Sequence, residues 1–143
     1  MGRKRRTRIL VLEGGGLARR LANEVRAAAK VEELKAPDEG LVMLKLREGG
    51  KRGLFNLGEA LVTEALARIG ATIGRGIVLG REPALAADLA AIDAAYGARL
   101  ALVESWEPIL AEAEARIEAG EEERRRSIAA TKVAFETMDA EAP

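Results

Sequence analysis

Residues 41–80 read LVMLKLREGGKRGLFNLGEALVTEALARIGATIGRGIVLG, and the fold turns on whether they form strands or helices. Val42, Leu44 and Leu46 alternate with Met43, Lys45 and Arg47, the period of a half-buried strand. Gly49-Gly50 offers a hairpin reversal into a second strand beginning RGLFNLG. Residues 59–70, EALVTEALARIG, are rich in helix formers, yet their neighbours are strands in succession, so this segment is read as strand too. The last piece, ATIGRGIVLG, is short, glycine-spaced and β-branched and closes an antiparallel meander.

Upstream, RILVLEGGGLARRLANEVRAAAK (Arg8–Lys30) superficially offers an apolar strand, a glycine loop and a helix, the parts of a phosphate-binding turn. Arg19 stands where the third glycine of that fingerprint should allow close helix packing. A dinucleotide fold also requires helices between parallel strands, which consecutive strands deny. Gly14–Gly16 is therefore a linker between two short helices, or a loop before one. Leu17, Leu21 and Val25 give residues 16 to about 30 an amphipathic helical face. Pro37-Asp38-Glu39-Gly40 reads as a turn.

Beyond Pro83 the period becomes helical, with Leu85, Leu89, Ile92 and Tyr96 on one face and proline in the first turn. Ser105 can cap a second long helix carrying Trp106, Ile109, Leu110, Ala113 and Ile117. Gly120 marks a break, after which Ile128, Phe135 and Met138 stripe a last helix. The expected fold is α+β: a meander of about four antiparallel strands, packed with N-terminal helices and two to three long C-terminal helices, in one domain over residues 1–143.

Composition narrows the chemistry. With no histidine and no cysteine, the chain lacks an imidazole acid-base group, a thiolate nucleophile and the ligands of zinc sites of the Cys/His kind or of iron-sulfur clusters. Aromatic residues are 3% of the chain, so Leu, Ile, Val and Ala must fill a core in which small residues let elements approach closely. Acidic and basic residues cancel at 23 each but are segregated, with Arg3, Lys4, Arg5, Arg6 and Arg8 at the start and glutamates over residues 104–123. The basic start, residues 1–8, reads as a solvated arm, with contact to nucleic acid or another polyanion as the functional alternative. The apolar run Ile9–Leu12 falls short of the roughly 7 to 15 residues of a signal peptide, and nothing approaches the roughly 18 of a membrane span. A cytoplasmic protein without membrane contact is expected.

Two places suit function. Arg75 and Arg81 flank a glycine-spaced strand feeding a helix N-terminus, an environment that favours phosphate, although sheet twist and a tight turn with solvated arginines explain the same residues. Val133, Phe135 and Met138 form an apolar stripe that either caps the core or docks on another chain. Asp88 and Asp93 are five apart on a helix, hence on different faces and no metal pair. Gly49-Gly50-Lys51 fails as a P-loop, because Lys45 replaces the first glycine and Arg52 the magnesium-binding hydroxyl. Glu121–Glu123 and Arg124–Arg126 read as pairs along an exposed helix.

Taken in order, EGLVMLKLREGG, FNLGEALVTEA, GIVLGREPALAADLAAIDAA and TKVAFETMD resemble the PhnG family of the bacterial carbon-phosphorus lyase system. The likeness runs from about Arg8 to Met138. It implies an accessory subunit working with PhnI, PhnH and PhnJ, and transiently with the ATP-binding-cassette-like PhnL. In that system methylphosphonate displaces adenine from the anomeric carbon of the ribose of ATP. PhnI is the nucleosidase-like partner, and PhnJ holds the iron-sulfur cluster. The resemblance supplies no catalytic residue, metal or cofactor for this chain, which is expected to be inactive alone. Two other classes are distinguishable: a stand-alone nucleic-acid-binding module, which would lack stacking aromatics here, and a self-assembling structural protein.

Overall fold

The computed structural model describes residues 1–47 and 53–131. Among them lie α1 (Arg3–Leu12), α2 (Gly16–Ala28), β1 (Glu32–Arg47), β2 (Leu54–Ile69), β3 (Thr72–Leu79), α3 (Pro83–Gly97), a 3-10 turn (Ala101–Ser105) and α4 (Trp106–Ala130). The α+β expectation holds, with one correction: the antiparallel sheet has three strands, in the order β1-β2-β3, rather than about four. The difference arises in β2, where residues 54–58 and 59–69, read as two successive strands, run as one across a register shift opposite Leu44 and Lys45. A separate departure is Pro37–Gly40, expected as a turn but lying inside β1, where the register shifts between Lys35 and Asp38. Because β1 is an edge strand, the missing N–H of Pro37 need not break a ladder, and the bulge absorbs the kink. Residues 59–69 are strand as read, in spite of their helix-forming composition, because β1 pairs along one edge and β3 pairs residues 62–69 along the other. The Gly49-Gly50 reversal lies outside the described residues.

Along β3, Gly74, Gly76 and Val78 turn inward while Ile73, Arg75, Ile77 and Leu79 turn out. Helix α3 lies directly on the inward face, and its Ala86, Ala90 and Ala94 are fully buried. Beyond α3, Leu17, Leu21 and Val25 of α2, Ile9 and Leu10 of α1, and Trp106 and Leu110 of α4 complete the core. The Trp106 indole N–H donates to Glu24 at 2.8 Å, tying α4 to α2.

Gly14 and Gly15 are left-handed, with φ of +87° and +86°, and join two helices. Since α1 stands where a phosphate loop needs a strand, the linker reading is the one realised. Ser105 does not cap α4: the chain runs helically from the 3-10 turn into α4, and the Ser105 hydroxyl donates to the Leu102 carbonyl at 2.7 Å. Nor does Gly120 break α4, which continues to Ala130 and takes in Ile128. A helical glycine costs only about 1 kcal/mol against alanine, and pairs such as Arg116–Glu112 at 2.8 Å and Arg126–Glu123 at 3.3 Å support the turns on either side.

Charge segregation has an internal explanation. The basic start is α1, which lies along the acidic α4: Arg5 Nε donates to Glu114 at 2.8 and 3.0 Å, Arg8 pairs with Glu121 at 2.9 Å, and the Met1 amine pairs with Glu107. The hydrogen bond from Arg5 holds the Glu114 carboxyl below the ordinary glutamate value of 4.5. Arg68 does the same for Glu32 and Lys35 for Glu64. A depressed carboxyl contributes stability above its unfolded value and loses it as the folded value is crossed. The melting temperature should therefore stay level from neutral pH down to about 4.5 and fall below it. Glu114→Gln should lower the neutral plateau and make the acid fall shallower; unchanged melting curves for the variant at both pH extremes would refute the α1–α4 contribution.

Candidate functional site

Arg75 occupies an outward position of β3, and its Nε lies 2.6 Å from Glu64 on β2. Glu64 also accepts from Lys35 of β1 at 2.9 Å, and Asp38 stands 3.9 Å from Lys35. The Glu64 carboxyl is depressed chiefly by the Lys35 hydrogen bond, with Arg75 adding to it and burial opposing. The Arg75 main chain is held as well: its N–H donates to Asp93 at 3.1 Å and its carbonyl accepts from Arg3 at 3.2 Å. Lys35, Asp38, Glu64 and Arg75 border a cavity of about 340 Å³ whose walls include Gly40, Val62 and Ile77.

Arg81 follows the left-handed Gly80 (φ +86°). The buried Thr63 hydroxyl fixes this turn, donating to the Gly80 carbonyl at 2.7 Å and accepting from the Glu82 N–H at 3.0 Å. From there the Arg81 guanidinium meets Glu39 with two nitrogens, at 2.6 and 3.1 Å. Glu39 lines the same cavity as Arg75. Arg75 thus lines this cavity, whereas Arg81 does not and is linked to it only through its ion pair with Glu39.

Sequence reasoning found the arginines but missed their partners. Glu39 sat in the supposed turn and Glu64 in the segment of ambiguous type, and only the β1-β2-β3 register places both beside arginines. Lys35, Arg75 and Arg81 are balanced by Asp38, Glu39 and Glu64, so a phosphate entering here must displace a carboxylate or share its arginine. The cluster can orient an anion; it holds no nucleophile matched to an acid-base partner.

A second cavity, about 350 Å³, lies between the Gly14–Gly16 linker and the start of α3. Arg19 lines it, but so do Glu82 and Asp88, and Asp88 accepts from Arg26 at 2.8 Å. Asp88 and Asp93 serve different partners, as their spacing implied. Among the described residues no three Asp or Glu side chains gather as a metal set, and no helix is long and apolar enough to cross a membrane. Val133, Phe135 and Met138 lie outside the described residues.

Comparison with known proteins decides the family. The family described as "Phosphonate metabolism protein PhnG" matches residues 1–139. The chain belongs to the PhnG family. A relative from Rhizobium meliloti (strain 1021), named alpha-D-ribose 1-methylphosphonate 5-triphosphate synthase subunit PhnG, is 37% identical over 112 residues, covering 76% of this chain and 70% of the relative. In this PhnG chain the family match takes in every residue of the Arg75 cluster.

Proposed function

We propose that this PhnG chain is an accessory subunit of the carbon-phosphorus lyase core complex in phosphonate catabolism. It supports transfer of methylphosphonate to the ribose of ATP, with loss of adenine, to give α-D-ribose 1-methylphosphonate 5-triphosphate. The observation that carries this reading is the likeness to a named synthase subunit at 37% identity over 76% of the chain. The chain contributes no catalytic residue and no cofactor; PhnI, PhnH and PhnJ, with PhnL transiently, supply the chemistry in the cytoplasm. Within the assembly, Arg75 and Arg81 face a phosphate-bearing ligand at a partner boundary, and the Val133, Phe135 and Met138 stripe buries part of the partner contact.

The test is co-expression with PhnI, PhnH and PhnJ, followed by co-purification and an assay of adenine release from ATP with methylphosphonate present. Release should depend on this chain, and release that proceeds equally without it would refute the accessory role. In the assembled complex, Arg75→Ala with Arg81→Ala should lower adenine release about tenfold or more, the scale of losing one charge-assisted hydrogen bond. Both arginines are more than half exposed, so their ion pairs contribute at most about 1 kcal/mol to stability and the melting temperature should barely move. Full activity in the double variant would remove the arginines from the ligand site.

A further inference from the structure

The sheet has one face covered by α3 and one face that no helix covers among the described residues. An antiparallel sheet with a solvated face normally carries polar residues there. This sheet does so only at one end, where Glu32, Lys35, Glu64, Arg68 and Arg75 form cross-strand ion pairs. Farther along, the same face turns apolar. Val42, Leu44 and Leu46 of β1, Phe55 opposite Leu46, and Ile77 and Leu79 of β3 are each 39% exposed or more. The alternation in β1 is that of a strand with one buried side, yet nothing among the described residues buries it.

Past Val62 the sheet narrows to a two-stranded arm, because β3 ends at Leu79, paired to Val62. The β2 edge from Leu54 to Leu61 therefore has a strand on one side only, and β1 is open along its outer edge. On the arm's second face Leu41 and Met43 are also exposed, at 64% and 55%. Isolated two-stranded hairpins are marginal in water, and bare apolar edges invite pairing. The exposed apolar side chains of the arm and the adjoining sheet face together present an area of the same order as the roughly 800 Å² one partner contributes to a standard interface.

We infer that this arm and the apolar half of the open sheet face are the docking surface for a different protein subunit, one whose apolar cleft carries acidic residues at its rim. The inference rests on the subunit reading above and adds where the chain binds and to what chemistry. The acidic rim follows from Lys45 and Arg47, which stand on the Leu41 and Met43 face without an ion-pair partner among the described residues. A second copy of this chain is the poorer occupant. A two-faced arm needs a cleft, and cavities on the body of this chain are walled by charged groups such as Glu13, Arg20 and Arg116. The ion-paired end of the face, with Arg75, marks the edge of the contact.

The test uses the full chain with Leu44→Glu and Phe55→Glu, co-expressed with PhnI, PhnH and PhnJ. Both positions are exposed, so the isolated variant should keep the wild-type circular dichroism spectrum and melting temperature. Co-purification with the partner should fall at least tenfold, while Arg68→Ala, at the ion-paired end, should co-purify like wild type. A variant that co-purifies fully overturns the docking surface and leaves the subunit reading intact. A wild-type chain that binds none of the three overturns both. If light scattering finds the isolated wild-type chain dimeric and the variant monomeric, the face belongs to a second copy and the inference fails.

Discussion

Gly76→Ala is expected to destabilise the protein by about 3 kcal/mol or more, toward the upper end of what overpacking a core costs. A Cβ built at Gly76 would stand 2.0 Å from the carbonyl oxygen of Ala86 and 2.9 Å from the amide nitrogen of Ala90. Those neighbours are main-chain atoms of α3, so no rotamer change relieves the clash. The helix must lift from the sheet, and lifting it opens the contacts of Ala86, Ala90 and Ala94 together. Gly74→Ala meets the same obstacle, with the Ala90 carbonyl and the Ala94 amide each at 2.2 Å, and the double variant should not fold. Gly40→Ala is the control, since its Cβ would meet nothing within 4 Å. Urea unfolding of the variants decides the matter; a Gly76→Ala midpoint equal to that of Gly40→Ala would mean that α3 does not lie as close to β3 as described.

This contact also shows what the sequence makes legible. The scarcity of aromatics and the alanine-rich third helix announced a core of small residues on closely approaching elements. Gly74 and Gly76, however, had been explained by sheet twist. The partner of each glycine is an alanine some ten or more positions away on another element, and a period-two or period-3.6 reading cannot supply that pairing. Strand order and the change to helices after Pro83 were legible because hydrophobic period is a local property. Pro37–Gly40 misled because turn chemistry is local too, whereas tolerance of proline depends on β1 being an edge strand, which is a fact of the whole sheet.

The candidate site was half visible for the same reason. Arg75 and Arg81 stand out beside glycines in one short stretch, while Lys35, Glu39 and Glu64 come from two other strands and become neighbours only once the register is fixed. Segregated charge misled in the other direction. The basic start had the look of a solvated arm reaching for a polyanion, but its polyanion is α4 of the same chain. Ile9 and Leu10, three and four residues after Arg6, were the signal that this segment has a buried face.

That buried face makes Asp93→Ala the second large effect, with an expected cost of about 3 kcal/mol or more, the range for stranding a buried charge. Arg6 is only 5% exposed, and burial pushes its guanidinium pKa down from the usual arginine value, so its cation depends on what surrounds it. Two groups compensate it: the Asp93 carboxylate at 3.1 Å and the face of Tyr96, whose ring centre lies 3.7 Å from the guanidinium carbon. Asp93 also receives Arg3 at 3.0 Å and the Arg75 N–H at 3.1 Å, so one carboxylate joins α1 and β3 to α3. Removing it strands a buried cation and unties the N-terminal helix from the sheet. Asp93→Asn keeps an acceptor without the charge and should fall between alanine and wild type. Arg6→Met alone should cost less than Asp93→Ala, because the remaining carboxylate still pairs with the exposed Arg3 guanidinium. Combining Arg6→Met with Asp93→Ala should then recover much of the loss, since no unpaired cation remains. A double-mutant cycle by denaturant unfolding separates the pair from its surroundings. Additive losses would assign the cost to packing around Asp93 rather than to the stranded charge of Arg6.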